Sequence, residues 1–402
     1  MAKIIPFKGV RPIRKKVHLI SSRPFYTYKK SHLKAKLESN PYSFLHVINP
    51  EFNSVKKNKS DSIQRFELIK KKYEYFKNKK YFIKDEKPVL YVYRQTTSFG
   101  VFTGLIAGSS VKDYQTNKIK KHENTIIKRE KIFKKYLEVC NFHAEPVLLS
   151  YNPTLTIKEL ILLTMNKRPE YEFTTTDKKS HELWLIDNIS DIEKITDEFK
   201  SLNNIYIADG HHRIASSSLY QISNSKNDKS NYFLSFLIDQ KDLKIFEFNR
   251  IVKDIGEVSN DDFLKKIKNY FLIENLKNHK SPSKKDEIVI YLDKKWYLLT
   301  VNIDIINPDF KSSLNSQMVS DLILNKVLNI KNLNDRIEYV RGNQSIKILT
   351  KKVDQKKRSL GIELFPHKIE EIIKIADLGQ NMPPKSTWIE PKLRSGLTIY
   401  EY

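Results

Sequence analysis

Hydrophobic residues before position 255 alternate between helical and strand-like patterns. Ile63, Phe66, Ile69, Tyr73 and Phe76 recur at intervals of three and four residues, which predicts an amphipathic helix over 61–78. By the same criteria, further helices are predicted over 123–140, 190–202 and 211–222, and strands over 17–20, 87–93, 103–110, 146–151, 183–186 and 204–208. Residues 231–250 predict a hairpin of two strands around a polar turn at 239–242.

The pattern changes to shorter, mixed elements after residue 255. Helices are predicted over 261–271, 315–329 and 367–378, and two strands over 287–304. We therefore expect two domains, 1–255 and 256–402. Strands and helices alternate without a strict strand–helix–strand repeat, so the expected fold is an α/β fold of the α+β type with a mixed sheet.

Composition narrows the class of protein and its partners. Of the 402 residues, 40% are hydrophobic and 30% are charged, which is typical of a globular protein. The net charge of +25 comes from lysines spread along the chain rather than gathered in one stripe, so specific nucleic-acid binding is not expected. No segment has the apolar length of a signal peptide or membrane helix, and Cys140 is the single cysteine. We expect a cytoplasmic protein without a membrane partner, and the oligomeric state is left open.

A glycine turn follows the last of the predicted strands before residue 211. Asp209 and Gly210 form the turn, and a helix begins at His211, where unpaired N–H groups attract anions. Arg213 can bind a phosphate through two parallel hydrogen bonds, and His211 and His212 can donate hydrogen bonds or transfer a proton. The alternative is that Asp209 caps the helix while Arg213 pairs with a carboxylate. We expect a site for an oxyanion, such as a phosphate.

Polar side chains also lie at the ends of three other predicted elements. Arg94 follows a strand, where it could line a crevice or be solvated. Glu123 opens a helix, as a Mg²⁺ ligand or as an acid that interacts with the helix dipole. Asn249 and Arg250 end a strand, where they could bind a ligand carboxylate or form a structural ion pair.

The C-terminal segment 382–402 is predicted to be an ordered arm. Consecutive prolines make its first part stiff and unsuited to a regular helix. Lys385, Lys392 and Arg394 would then lie near the anion site. The alternative is a purely structural tail.

The segment from Ile207 to Arg213 resembles the hallmark of the family catalogued as domain of unknown function 1015. The resemblance covers nearly the whole chain and includes Ser22-Arg23-Pro24, the residues 40–47, Tyr93-Arg94-Gln95, Thr103-Gly104-Leu105, Lys121-His122-Glu123, Glu145-Pro146-Val147, Phe248-Asn249-Arg250 and the residues 382–396. It implies a bacterial-type cytosolic protein without an established activity.

The same turn also resembles that of the ParB/sulfiredoxin superfamily, in which a similar strand–turn–helix binds nucleotide phosphates. One relative is a free serine kinase. The resemblance implies a ParB/sulfiredoxin-like core within 1–255 and a phosphotransferase that uses ATP or ADP with Mg²⁺ on an alcohol group of a small-molecule substrate, such as serine. The residues assigned are His211, His212, Glu123 and Asp209 as catalytic groups, Gly210, Arg213, Arg94, Lys385, Lys392 and Arg394 as nucleotide-binding groups, and Asp209 and Glu123 as metal ligands.

The chain departs from the family pattern at three positions. Tyr26 stands where the family usually carries an aspartate, and Ile126 and Phe133 stand where it usually carries arginines. These changes leave open a second hypothesis, a non-catalytic protein that binds a nucleotide or a phosphorylated metabolite. A ParB-like nucleic-acid-associated protein is the third, and the diffuse lysine pattern favours it least.

Overall fold

The computed structural model describes residues 2–55, 57–302, 309–331 and 336–402. Contacts divide the chain into two compact units. The first consists of Met1–Lys121, Thr125–Lys244 and Glu390–Tyr402, and the second of His122–Asn124 and Ile245–Ile389. Across the residues that are described, none of the helices combines the length and the apolar composition needed to cross a bilayer.

The first unit contains a mixed sheet. The strands before residue 244 are β1 (Ile4–Ile5), β2 (Val10–Pro12), β3 (Phe82–Lys84), β4 (Leu90–Thr97), β5 (Gly100–Ser110), β6 (Ile119–Lys120), β7 (Phe142–His143), β8 (Val147–Tyr151), β9 (Tyr171–Thr174), β10 (Ser180–Ile186), β11 (Ile205–Asp209) and β12 (Tyr232–Asp239). The order in the large sheet is β6-β11-β8-β12-β5-β4-β10-β9, and β1 pairs with β5. The β11–β6 and β12–β8 pairs are parallel, whereas β11–β8 and β12–β5 are antiparallel. The predicted α/β class with a mixed sheet is confirmed.

The first unit also contains helices, and several of them bury apolar faces. They are α1 (Val17–Ile20), α2 (Lys30–Ser39), α3 (Leu45–Ile48), α4 (Ile63–Asn78), α5 (Val111–Gln115), α6 (Ile127–Cys140), α7 (Leu155–Met165), α8 (Ile189–Ser201) and α9 (His211–Ser223). In α4, Phe66, Ile69, Tyr73 and Phe76 are buried, as the spacing predicts, whereas Ile63 in the first turn is exposed. The Ser62 hydroxyl caps the helix. Val92 and Leu149 of the sheet share one core cluster with apolar residues of α7, α8 and α9.

Two local predictions in this unit are wrong. Residues 17–20, predicted as a strand, form the short helix α1, in which Val17 and Ile20 are buried and His18 is exposed. A run of four apolar residues does not distinguish a period of two from one of 3.6, so packing decides. The helix predicted over 190–202 begins at Ile189 instead, after the capping residue Asn188, whose side chain accepts a hydrogen bond from the Asp191 N–H.

The second unit is built on another sheet. Its strands are β13 (Lys244–Val252), β14 (Phe271–Leu276), β15 (Glu287–Leu292), β16 (Lys295–Val301), β17 (Ile337–Arg341), β18 (Leu360–Leu364) and β19 (Thr387–Glu390), in the order β14-β16-β15-β18-β13-β17 with β19 on β13. Its helices are α10 (Asn260–Ile267), α11 (Asn315–Met318), a π-helix (Val319–Val327), α12 (Ile346–Asp354) and α13 (Ile369–Asp377). The predicted helix over 315–329 is therefore α-helical only at its start. Of the strand residues predicted over 287–304, positions 303 and 304 lie outside the described residues.

The predicted hairpin over 231–250 does not form. Both edges of β12 are occupied, because β5 pairs along one side and β8 along the other. The next strand, β13, pairs instead with β17 and β18 of the second sheet. The chain therefore passes from one unit to the other between Lys244 and Ile245. It returns to the first unit at Glu390, where the last strand, β20 (Tyr400–Glu401), pairs with β7.

Candidate functional site

The predicted strand–turn–helix lies at the end of β11. The strand ends at Asp209, Gly210 has a φ of 101°, and α9 begins at His211. Only glycine adopts this backbone region without strain. A Cβ atom at Gly210 would lie 3.0 Å from the guanidinium of Arg213, so the Arg213 side chain would have to shift to accommodate it.

Asp209 is the centre of a charged cluster. Its Oδ2 lies 3.3 Å from Lys392 Nζ and 3.3 Å from Arg213 Nη2, and the Tyr26 hydroxyl donates to the same oxygen at 3.4 Å. Burial alone would raise the pKa of Asp209, but the charges of Lys392 and Arg213 lower it to about 2. The carboxylate is therefore ionised at neutral pH and is unsuited to act as a general base there.

The Arg213 side chain contacts the two residues that precede β8. Its Nη1 lies 3.1 Å from Glu145 Oε1 and donates to the carbonyl oxygens of Glu145 and Pro146. Its side chain is only 15% exposed. The ion pair that the sequence left open as an alternative is thus present, with both Asp209 and Glu145 as partners. The phosphate-binding role of Arg213 stays a prediction, and a ligand would have to compete with these two carboxylates.

The two histidines of the turn differ in their surroundings. Nε2 of His212 accepts a hydrogen bond from the backbone N–H of Ile126 at 3.1 Å, which ties α9 to the residue before α6. His211 is buried, and its charge interaction contributes to the low pKa of Asp209. Of the two, His211 is the one coupled to Asp209.

The C-terminal segment brings one of its predicted residues to the turn. Ser395 pairs with Ser22 through two backbone hydrogen bonds, and its hydroxyl donates to Glu145 at 3.1 Å. Lys392 contacts Asp209, as described above. Arg394, in contrast, binds Asp177 at 3.0 Å and the ring of His181 at 3.1 Å.

The remaining predicted residues have other contacts. Arg94 on β4 donates to Glu182 on β10 at 2.6 Å, and β5, β12 and β8 separate β4 from β11 in the sheet. Glu123 and Lys385 belong to the second unit, where Lys385 is exposed and its Nζ lies 5.5 Å from the ring centre of Phe248. The site roles of these residues stay predictions.

Sequence reasoning did not assign Glu145 or Tyr26 to the site. Glu145 precedes β8, the strand beside β11, and its carboxylate contacts both Arg213 and Ser395. Its position before Pro146-Val147, among the motifs that carry the family resemblance, was the available signal. Tyr26 was singled out as a departure from the family pattern, and the structure places its hydroxyl on Asp209.

In the described ranges there is no group of three or more His, Cys, Asp or Glu side chains that could hold a metal ion. Mg²⁺ is commonly held by one or two carboxylates, with waters and substrate phosphates as the other ligands. A Mg²⁺ site that includes Asp209 therefore stays a prediction.

A family model described as "Protein of unknown function (DUF1015)" matches residues 4–324. The chain belongs to this family. Among curated proteins, none has a sequence that matches the chain.

A search of solved structures finds similarity of low sequence identity between this DUF1015 protein and three structures, among others. A structure titled "Free serine kinase in complex with AMP" is 14% identical, with 70% of this chain and 88% of that chain covered and a TM-score of 0.38. "SbnI with C-terminal truncation from Staphylococcus aureus" is 12% identical, with 73% and 85% covered and a TM-score of 0.40. A conserved hypothetical protein from Pyrococcus furiosus is 15% identical, with 70% and 93% covered and a TM-score of 0.35. At these TM-scores, similarity does not specify an activity.

Proposed function

We propose that the turn at Gly210 binds the phosphate groups of a nucleotide, ATP or ADP, for phosphoryl transfer to a hydroxyl group of a small metabolite such as free serine. The observation that carries this proposal is the meeting of two cations, Lys392 and Arg213, on one carboxylate at a glycine-opened helix start. Phosphoryl transfer depends mainly on positioning and on neutralising the charge of the phosphate oxygens.

Each charged group of the cluster has a role in this proposal. Lys392 and Arg213 would bind phosphate oxygens, and the backbone at the start of α9 would add a positive dipole end. Asp209 would hold Mg²⁺, for which an ionised carboxylate oxygen is a suitable ligand. His211 is the candidate base, because the pKa of Asp209 is about 2 and Nε2 of His212 already accepts a hydrogen bond.

A second candidate function is non-catalytic binding of a nucleotide or a phosphorylated metabolite. The Tyr26 hydroxyl lies beside Asp209, at a position where the family usually carries an acid. If that acid takes part in Mg²⁺ binding, this chain would retain binding and lack turnover. The substitution Tyr26→Asp would then produce turnover that the natural chain lacks.

The test measures nucleotide affinity and turnover on the same samples. The full chain, Lys392→Met and the control Lys194→Met, which changes an exposed lysine of α8, are titrated with ADP and ATP by calorimetry. Phosphoserine formation is followed by mass spectrometry with serine present. Loss of one charge-assisted hydrogen bond should weaken nucleotide binding by about tenfold in Lys392→Met only.

The possible results separate the two candidates. Phosphoserine or another phosphorylated alcohol supports the kinase. Binding without turnover, together with turnover in Tyr26→Asp, supports the non-catalytic protein. Equal nucleotide affinity in Lys392→Met and Lys194→Met would overturn the phosphate role given to the turn.

A further inference from the structure

The second unit contains a buried arginine that the proposed function does not use. Arg250 lies on β13, between Tyr339 of β17 and Ile362 of β18, and its side chain is fully buried. Side chains alternate along a strand, so Arg250 lies on the same face as Val252. Val252 belongs to an apolar cluster with Val319 and other residues of the helical segment that follows Leu314. A guanidinium charge is therefore held among apolar side chains.

No carboxylate of the described residues balances this charge. Nη1 of Arg250 donates to the Ser320 hydroxyl at 3.0 Å, and Nη2 donates to the Ser316 carbonyl oxygen at 2.9 Å. Nε has no hydrogen-bond partner in the described part of the chain. Burial lowers the pKa of Arg250 to about 10, a value at which the group is still charged at neutral pH. The structural ion pair considered from the sequence is thus not formed within these residues.

A second polar side chain without partners stands next to these contacts. Asn315, the neighbour of Ser316, is 2% exposed, and neither its amide nitrogen nor its amide oxygen has a hydrogen-bond partner among the described residues. His367 is also buried here, with Nε2 at 3.1 Å from the Ser316 hydroxyl. Buried polar groups are nearly always paired, because an unpaired one costs free energy. The unsatisfied groups of Arg250 and Asn315 are therefore candidate hydrogen-bonding groups for a bound ligand.

The backbone beside these groups is irregular in a way that accompanies ligand sites. The segment Val319–Val327 is a π-helix, and it carries Ser320, one of the two partners of Arg250. π-Helical turns are rare and occur frequently at functional sites. This observation is independent of the unpaired side chains.

We propose that Arg250, with Asn315 beside it, forms a binding site for a small molecule with one carboxylate group. A carboxylate is planar and accepts the parallel hydrogen bonds that a guanidinium offers. It carries a single negative charge, which balances one buried positive charge. A phosphate carries a second charge at neutral pH, which the apolar surroundings would disfavour. The inference is independent of the nucleotide site, since all of its residues belong to the second unit.

The test uses the full chain and small carboxylates of increasing size: acetate, lactate and serine. Each is titrated by calorimetry and thermal shift at constant ionic strength, with inorganic phosphate and chloride as comparison anions. At least one carboxylate should bind saturably, and phosphate should not displace it. Arg250→Lys, which keeps the charge and loses the planar fork, should weaken this binding at least tenfold. Arg168→Lys changes an exposed arginine of the first unit and should leave it unchanged.

Misfolding of Arg250→Lys would also weaken carboxylate binding, so a second variant, Arg250→Met, is measured without ligand. Arg250→Met removes an unpaired buried charge, so its midpoint of thermal unfolding without ligand should equal or exceed that of the natural chain. A marked fall in that midpoint would indicate an ion pair within the chain and would overturn the proposal. So would the absence of saturable binding for all three carboxylates, or equal binding by the natural chain and Arg250→Met.

Discussion

The ammonium nitrogen of Lys392 lies 3.3 Å from a carboxylate oxygen of Asp209, although the two residues are far apart along the chain. Only 10% of the Lys392 side chain is exposed, and Asp209 also contacts Arg213. Since both cations favour the ionised carboxylate, folding holds the pKa of Asp209 at about 2, below its ordinary value of 3.8. This low pKa makes the stability of the protein depend on pH.

Asp209→Asn should flatten the acid dependence of stability. A carboxyl group with a lowered pKa in the folded state contributes its stability above about pH 4, and this contribution is lost as the pH falls toward 2. The lowering from 3.8 to about 2 corresponds to about 2 kcal/mol. The free energy of unfolding, measured with urea between pH 2 and pH 7, should show this loss in the natural chain and not in Asp209→Asn. Asp197→Asn, at an exposed position, is the control. Parallel curves for the natural chain and Asp209→Asn would contradict the prediction.

Gly210→Ala should destabilise the protein more than Gly379→Ala. Both glycines have positive φ, 101° and 65°, so an alanine at either position strains the backbone by about 1–2 kcal/mol. A Cβ atom at Gly379 meets nothing within 4 Å, whereas one at Gly210 meets the Arg213 guanidinium at 3.0 Å. Glu145 and Asp209 hold that guanidinium, so it cannot move without losing contacts. Urea unfolding should therefore show an additional loss of about 1 kcal/mol or more for Gly210→Ala, and equal losses would count against a rigidly held Arg213.

Burial of a neutral His181 should lower the free energy of unfolding of the protein in mild acid. It is fully buried between the Tyr93 hydroxyl and Arg394, and burial together with the charge of Arg394 lowers its pKa to about 2. The unfolded chain takes up a proton near pH 6.5, whereas the folded chain does not. Stability is therefore complete above pH 6.5 and falls below it, by about 2 kcal/mol at pH 5.

The measurement is the free energy of unfolding of His181→Gln between pH 8 and pH 5. The variant should lack this part of the decline, whatever its stability at pH 8. His32→Gln, at an exposed position of α2, should keep the decline of the natural chain. An unchanged slope in His181→Gln would show that His181 is protonated in the folded state.

Elements whose residues contact one another locally were predictable from the sequence. The apolar spacing of its residues predicts the helix α4. A buried apolar run that ends in Asp209 and Gly210 predicts that a strand is followed by a turn and then by a helix. The four-residue run 17–20 was not predictable, because it is too short to reveal its period. The hairpin over 231–250 also failed, since strand pairing depends on which edges of β12 other strands already occupy.

By itself, the sequence determined the mixed α/β class, the family resemblance and the glycine-opened start of α9, because these are set by residues a few positions apart. Only the tertiary structure decided that Tyr26, Glu145 and Lys392 meet around Asp209 and Arg213, and that Arg394 binds Asp177 instead. Charged side chains interact through space, and the order of the strands brings together groups that are remote along the chain. A local sequence pattern contains no information on the order of the strands. The charged side chains that meet at the site could therefore be identified only from the fold.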